Sequence, residues 1–168
     1  MVFSKQNLNI IRKAVRCFYI NNNEVICLRT KVSNLKPGFI DIPGGKIEEN
    51  ETMEQAVIRE YKEETGLDIT KPVFRGIINV VFPKGTYQLN TFIINSYEGE
   101  LEETEEHVPF IVNIDELIKM GKRFACTVML EPTFLKVLLD ETKTFELTIS
   151  TSEEEVISSI NFEIIEKQ

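Results

Sequence analysis

The sequence predicts an α+β fold in which helices pack on a curved sheet. Two observations lead there. Runs with the two-residue alternation of strands and runs with helical spacing follow one another as strands, helix, strands, helix, strands. One of the helical runs also changes character along its length, from apolar to acidic on the same face.

Asn9 to Ile20 reads as the first strand, with Val15, Cys17 and Tyr19 alternating on one side. Asn21-Asn22-Asn23 is a turn, because Asn tolerates left-handed φ. Glu24 to Thr30 returns, and the two should form a hairpin. Arg16, Arg29 and Lys31 place positive charge at or near it. Each reads first as an ordinary surface base. Lys31 is the candidate for phosphate, since it lies just past a strand end in a loop that leads to a Gly-Gly turn.

That loop runs to Pro37-Gly38, and Phe39 to Ile42 is a short strand entering Pro43-Gly44-Gly45. A helix follows from about Thr52 to Thr65. Thr52-Met53-Glu54-Gln55 fits a capping box, and Gly66 suits a left-handed C-terminal cap. With roughly 100° per residue, Met53, Ala56, Val57 and Tyr61 share one broad sector that should face the core. Glu60 and Glu64 enter that sector and Glu63 sits at its edge. Crowded carboxylates near a core repel and resist burial, and a divalent cation removes both problems. An all-oxygen ligand set suits Mg²⁺ or Mn²⁺ better than zinc. The competing account is a solvated acidic face, with Arg59 serving only as an i,i+4 partner for Glu63.

Val73 to Phe82 and Tyr87 to Tyr97 should be adjacent antiparallel strands, parted by Pro83-Lys84-Gly85. Gly99 to Glu106 is an acidic loop, and Val108 to Val112 a short strand. Asn113 is the expected cap of a short helix from Ile114 to Met120. Cys126 to Asp140 contains a second long helix whose stripe of Phe134, Leu135, Leu138 and Leu139 reads as core packing. Phe145 to Ile149 and Val156 to Ile165 are two last strands, expected to complete the sheet. With no linker or internal repeat, residues 1–168 read as one domain.

Composition narrows the function. Apolar residues make up 42% and charged residues 27%, ordinary for a soluble globular chain. No stretch approaches the roughly 20 apolar residues of a membrane span, and the N-terminus lacks a signal-peptide apolar run. A cytoplasmic location and no membrane partner follow as expectations. A net charge of −8 disfavours binding to duplex nucleic acid, which needs a basic footprint. An anionic substrate remains compatible, because bound metal reverses the local field. Cys17, Cys27 and Cys126 read as buried free thiols. His107 is the only histidine, so a multi-histidine zinc site is excluded.

Gly45, five residues, Glu51, seven residues, Arg59-Glu60-Tyr61, one residue, Glu63-Glu64, one residue, Gly66-Leu67: this series resembles the Nudix box, and every fixed position matches. Tyr61 fills a position usually aliphatic. The resemblance implies a Nudix-type α/β/α sandwich around a mixed sheet, with the box as a loop–helix–loop. It implies a hydrolase of a nucleoside diphosphate linked to another group, dependent on Mg²⁺ or Mn²⁺. Carried over by position, Gly45, Glu60, Glu63 and Glu64 would be metal ligands, the glycine through its carbonyl. Glu51 and Arg59 would orient the ligating acids. Glu63 also stands as a catalytic candidate, since some members take their base from the box and others from a loop outside it. Among Glu103, Glu105 and Glu106 in the acidic loop, Glu106 is the candidate base.

A narrower resemblance, to MutT-like oxidised purine nucleoside triphosphatases, extends weakly over the chain. It rests on RGIINVVFP after the box, on Glu-Glu-x-x-Pro at Glu105 to Pro109, and on a late apolar helix followed by a hairpin. It implies that Asp41 and Glu131 contact the base. Pro132 stands where that type has a second acid, and Glu131 also suits a helix N-terminus. The leading expectation is hydrolysis of a nucleoside triphosphate, with 8-oxo-dGTP as candidate, to monophosphate and pyrophosphate. The alternative is ADP-ribose or another diphosphate-linked nucleotide, by a monomer or homodimer. A sensing module without turnover would be expected to have lost box acids, which are all present here. Removal of pyrophosphate from RNA 5′ ends fits poorly with the acidic balance.

Overall fold

The structure is a computed structural model that describes residues 7–31, 39–120, 132–152 and 157–166. Five strands form one wing of the main sheet in the order β10 (Ile157–Glu166), β9 (Lys143–Thr151), β5 (Val73–Phe82), β6 (Gly85–Ile94) and β1 (Ile10–Asn21). The other wing holds β2 (Glu24–Thr30), flanked by β3 (Ile40–Asp41) and β8 (His107–Asn113). Pairing is mixed: β1 with β6 and β5 with β9 run parallel, and the other pairs antiparallel. The last two strands therefore extend the same sheet. Two short strands unmarked in the sequence, β4 (Asp68–Ile69) and β7 (Tyr97–Glu98), pair with each other.

Helix α1 (Met53–Thr65) covers one face. Its Ala56, Val57 and Tyr61 pack with Val15, Cys17, Ile26 and Phe92. Helices α2 (Ile114–Met120) and α3 (Pro132–Leu139) cover the other. There Phe134 meets Phe18, Phe145 and Phe162 with ring centroids 4.9–6.3 Å apart. This is an α/β/α arrangement on a mixed sheet. Of the stretch Cys126 to Asp140, expected to contain a long helix, residues 126–131 lie outside the described residues and α3 occupies Pro132–Leu139; Cys17 and Cys27 are buried free thiols. No helix of the described residues is long and apolar enough to cross a membrane.

Two expectations need correction. Leu139 is exposed, and Val137 instead joins Phe134 and Leu138 in the core. β1 and β2 do form a hairpin, with Asn22 and Asn23 at positive φ, but only Ile20–Val25 and Asn21–Glu24 pair. Beyond these the strands part. β1 takes β6 as its long neighbour on one side, and on the other it takes the loop that leads into α1. The Cys17 amide donates to the Pro43 carbonyl (2.9 Å), the Val15 amide to the Gly45 carbonyl (2.9 Å) and the Ile47 amide to the Lys13 carbonyl (3.1 Å). The parting of two strands thus makes room for a loop laced to a sheet edge, and that loop carries the site.

Candidate active site

Local signals set α1. Thr52 Oγ1 accepts from the Gln55 amide (3.2 Å) and Gln55 Oε1 from the Thr52 amide (2.8 Å), closing the capping box. Gly66 ends the helix at φ 80° with its amide on the Lys62 carbonyl. The last turns thus lie beside the Gly44–Gly45 loop in a fixed phase.

Two glycines allow a close approach there. At Gly44, with φ 154°, a Cβ would stand 2.0 Å from the Val15 carbonyl oxygen, so only glycine lets the loop lie against β1. Its amide donates to Glu64 Oε2 (2.8 Å). At Gly45 a Cβ would stand 2.3 Å from the Glu60 carboxyl carbon. The carboxylate of Glu60 occupies the space that glycine leaves. One lone pair of the Gly45 carbonyl is taken by the Val15 amide; a carbonyl oxygen has a second.

Arg59 organises the acids. It forks onto Glu51, Nε to Oε1 at 2.7 Å and Nη2 to Oε2 at 3.0 Å, and Nη2 also donates to the Lys46 carbonyl (3.1 Å). Glu51 in turn accepts from the Glu48 amide (2.9 Å). Arg59 Nη1 reaches Glu60 Oε1 (2.9 Å) and Glu63 Oε2 (3.1 Å). The Arg59 hydrogen bonds hold Glu51 below its ordinary pKa. Glu60 and Glu64 are 14% and 17% exposed, whereas Glu63 is 59% exposed and turned onto Arg59. Desolvation pushes the Glu64 carboxyl up to about 8, against the pull of the Gly44 amide and Arg16; Glu60 and Asp41 add to the rise.

Among the described residues no three acidic, histidine or cysteine side chains already converge on one point. Arg59, bonded to both Glu60 and Glu63, accounts for the outward set of Glu63. The donor chemistry nonetheless fits a hard divalent cation: carboxylate and carbonyl oxygens, with Glu64 held where its charged form lacks sufficient compensation.

The remaining candidates divide. Asp41 joins the site: Oδ1 accepts from the Ile42 amide (2.8 Å), and Oδ2 faces Arg16 Nη2 at 3.5 Å. Lys31 is drawn to the acidic loop, where Nζ donates to Glu103 Oε1 and to the Thr104 carbonyl (2.7 Å). Glu106 is exposed, with its carbonyl accepting from the Lys31 amide (2.8 Å). The residue after it, His107, brings Nδ1 to 4.0 Å from Glu64 Oε1, so this loop end borders the box. Glu131 lies outside the described residues. Sequence reasoning passed over the Gly44 amide and His107 as site groups, and read Arg16 as a surface base although its side chain is only 18% exposed. Only Arg16 left a signal, as a base between Val15 and Cys17 in a strand buried on both faces.

The chain as a whole is similar to known proteins. The family model described as NUDIX domain matches residues 11–128. An 8-oxo-dGTP diphosphatase of Proteus vulgaris is 39% identical over 83 residues, which are 49% of this chain and 73% of that protein. An ADP-ribose pyrophosphatase of Methanocaldococcus jannaschii is 33% identical over 90 residues, 51% of each chain. A MutT protein of Bacillus halodurans superposes with a TM-score of 0.75 at 24% identity, covering 91% of this chain and 98% of its own, a likeness of fold.

Proposed function

The chain belongs to the Nudix family of hydrolases, and from that premise we propose that it cleaves a nucleoside triphosphate, 8-oxo-dGTP foremost, to the monophosphate and pyrophosphate with Mg²⁺. The observation that carries the reading is the seating of Glu60 and Glu64 against Gly44–Gly45, with Glu64 in a desolvated position that calls for a cation. The 39% identity to the Proteus vulgaris diphosphatase, over 73% of that protein, supports the substrate class.

In this reading Glu60, Glu64 and the Gly45 carbonyl would hold Mg²⁺, and Glu63 would complete the set. Mn²⁺ fits the same oxygens. Bound there, a divalent ion supplies charge neutralisation at the polyphosphate and activation of water. Arg59 and Glu51 fix the rotamers of the ligating acids through the fork they share. Glu106 or Glu63 removes the proton from the attacking water; both are exposed enough to exchange it with solvent. Lys31 orders the acidic loop that leads to Glu106, and it could exchange that ion pair for a substrate phosphate. Asp41 and Glu131 meet the base. The protein works in the cytoplasm, as a monomer or homodimer, without duplex nucleic acid.

The Methanocaldococcus jannaschii relative favours a second reading, hydrolysis of ADP-ribose or a similar diphosphate-linked nucleotide on the same box. A panel of dGTP, 8-oxo-dGTP, 2-oxo-dATP, ADP-ribose and a dinucleoside polyphosphate separates them, run with Mg²⁺ and again with chelator. Preference for an oxidised triphosphate with release of pyrophosphate supports the first reading. Preference for ADP-ribose replaces it with the second, and full activity in chelator removes the metal assignment.

A further inference from the structure

Strand β10 ends the sheet with an open edge. Among the described residues no strand lies beyond it, so the backbone groups on its outer side have no ladder partner there. Edge strands usually blunt such a row by being short or by carrying proline and charge. β10 is ten residues long, holds no proline or glycine, and has only Glu163 and Glu166 as charges. Two of its isoleucines stand in solvent: Ile160 is 52% and Ile164 42% exposed. They flank Phe162, and the two-residue repeat of a strand puts all three on one face. That face is the one under α3, since Phe162 packs with Phe134 and Phe145.

The pairing with β9 shows what the edge interrupts. Ile160 lies opposite Ile149, Phe162 opposite Leu147 and Ile164 opposite Phe145. Phe145 and Leu147 are buried, and Ile149 packs against the same core. Three apolar rows therefore run out of the core across β9 and stop in solvent at β10. On the other face Glu163 lies opposite Glu146, acid against acid, and Asn161 opposite Thr148. The edge thus lacks an apolar neighbour on one face and a donor for Glu163 on the other.

We propose that β10 is the docking surface for a second copy of this chain, paired antiparallel about a two-fold axis at Phe162, so that two sheets become one. A two-fold axis perpendicular to the sheet pairs a strand with itself antiparallel, and every contact then occurs twice. With Phe162 facing its own copy, Ile160 of one protomer meets Ile164 of the other. The row Ile149–Ile160 runs on into Ile164–Phe145 of the second copy, and Leu147–Phe162 into Phe162–Leu147. On the other face Glu163 meets Asn161 of the second copy, whose side-chain amide donates to the carboxylate that faces Glu146 in its own chain. No two acids lie opposite one another across this interface. Moving the axis to Glu163 would set that acid against itself and Ile160 against Glu166. Moving it to Asn161 would leave Ile164 opposite Ser158. Strands β9, β5 and β6 stand between β10 and β1, so the Gly44–Gly45 corner stays open in the pair. The surface goes beyond the hydrolase reading and does not rest on it.

Sedimentation velocity of the whole protein, from about 1 to about 100 μM, should show a monomer–dimer equilibrium. Ile164→Lys and, separately, Ile160→Lys should raise the concentration of half-dimerisation by about tenfold or more, because each change strikes the interface twice. Both positions are exposed, so circular dichroism should match that of the unsubstituted chain. Disulfide capture reads the register, in chains that also carry Cys126→Ser. Ile160→Cys mixed with Ile164→Cys should cross-link under mild oxidation, since opposed residues bring their Cβ atoms to about 4.5–5.5 Å. Neither should cross-link alone, because each cysteine and its own copy then lie four positions, about 13 Å, apart along the strands. A monomer throughout the range overturns the proposal. So does a dimer that both lysine variants leave intact, or cross-linking of Ile160→Cys to itself in preference to the mixture. If the lysine variants do not fold, the cross-linking pair decides.

Discussion

Replacing Glu64 by Gln should make the metal-free protein more stable at alkaline pH, while removing its activity. The Glu64 carboxyl, ordinarily near 4.5, is pushed up to about 8 in the fold, chiefly by desolvation. As pH rises through this window the unfolded chain gives up its proton first. Folded protein then holds more protons than unfolded, and stability falls by up to about 1.4 kcal/mol per pH unit. Across the window the loss amounts to about 3–5 kcal/mol. For a chain of this size that corresponds to a fall in Tm on the order of 10 °C between about pH 5 and pH 8. Glu51 does not mask the effect: its pKa is lowered, so its contribution is complete above about pH 5 and is lost only in more acid solution. Gln keeps an oxygen for the Gly44 amide and has no proton to lose. Tm measured in chelator across this range, for wild type and Glu64→Gln, isolates the group in the difference between the two curves. The curves should diverge with rising pH, and saturating Mg²⁺ should lift only the wild type. Parallel curves would refute the buried-carboxyl account and, with it, the main physical reason for placing a cation there.

Three further outcomes test the surroundings. Gly44→Ala and Gly45→Ala should separate stability from activity: the first drives a Cβ into the Val15 backbone and lowers Tm sharply, whereas the second meets only the movable end of Glu60, so thermal melts should show a folded protein with little turnover. Arg59→Lys keeps the charge and loses the fork onto Glu51, and steady-state assays should show turnover lowered by about 10–100-fold with near-normal stability. Thr52→Ala opens the capping box and should cost about 1 kcal/mol in urea unfolding, with kcat unchanged.

What could be read from the sequence was what neighbours in sequence decide. The capping box at Thr52, the Gly66 terminus and the Asn22–Asn23 turn each depend on contacts within a few residues, and each formed as expected. Asn113 likewise caps α2, accepting from the Asp115 amide at 2.9 Å. The parallel partnerships of β1 with β6 and β5 with β9 depend on residues some 70 positions apart, and no periodicity encodes them. At the site the same division holds. The phase of α1 foretold that Glu60 and Glu64 would turn inward. Spacing on one helix also offered the i,i+4 contact of Arg59 with the exposed Glu63, but it could not foretell that Asp41 would meet Arg16, 25 residues before it.

The three amide bonds that lace the Pro43–Ile47 loop to β1 belong at once to the sheet and to the site. Opening the loop therefore strips β1 of one of its two flanks, so the site cannot loosen without a breach in the sheet. The exchange of the Val15, Cys17 and Ile47 amides with solvent thus reports whether the corner of Gly44, Gly45, Glu60 and Glu64 is assembled, in the absence of any substrate. A fold built this way keeps Glu60 and Glu64 in register with the Gly44–Gly45 loop by the same cooperativity that holds it together.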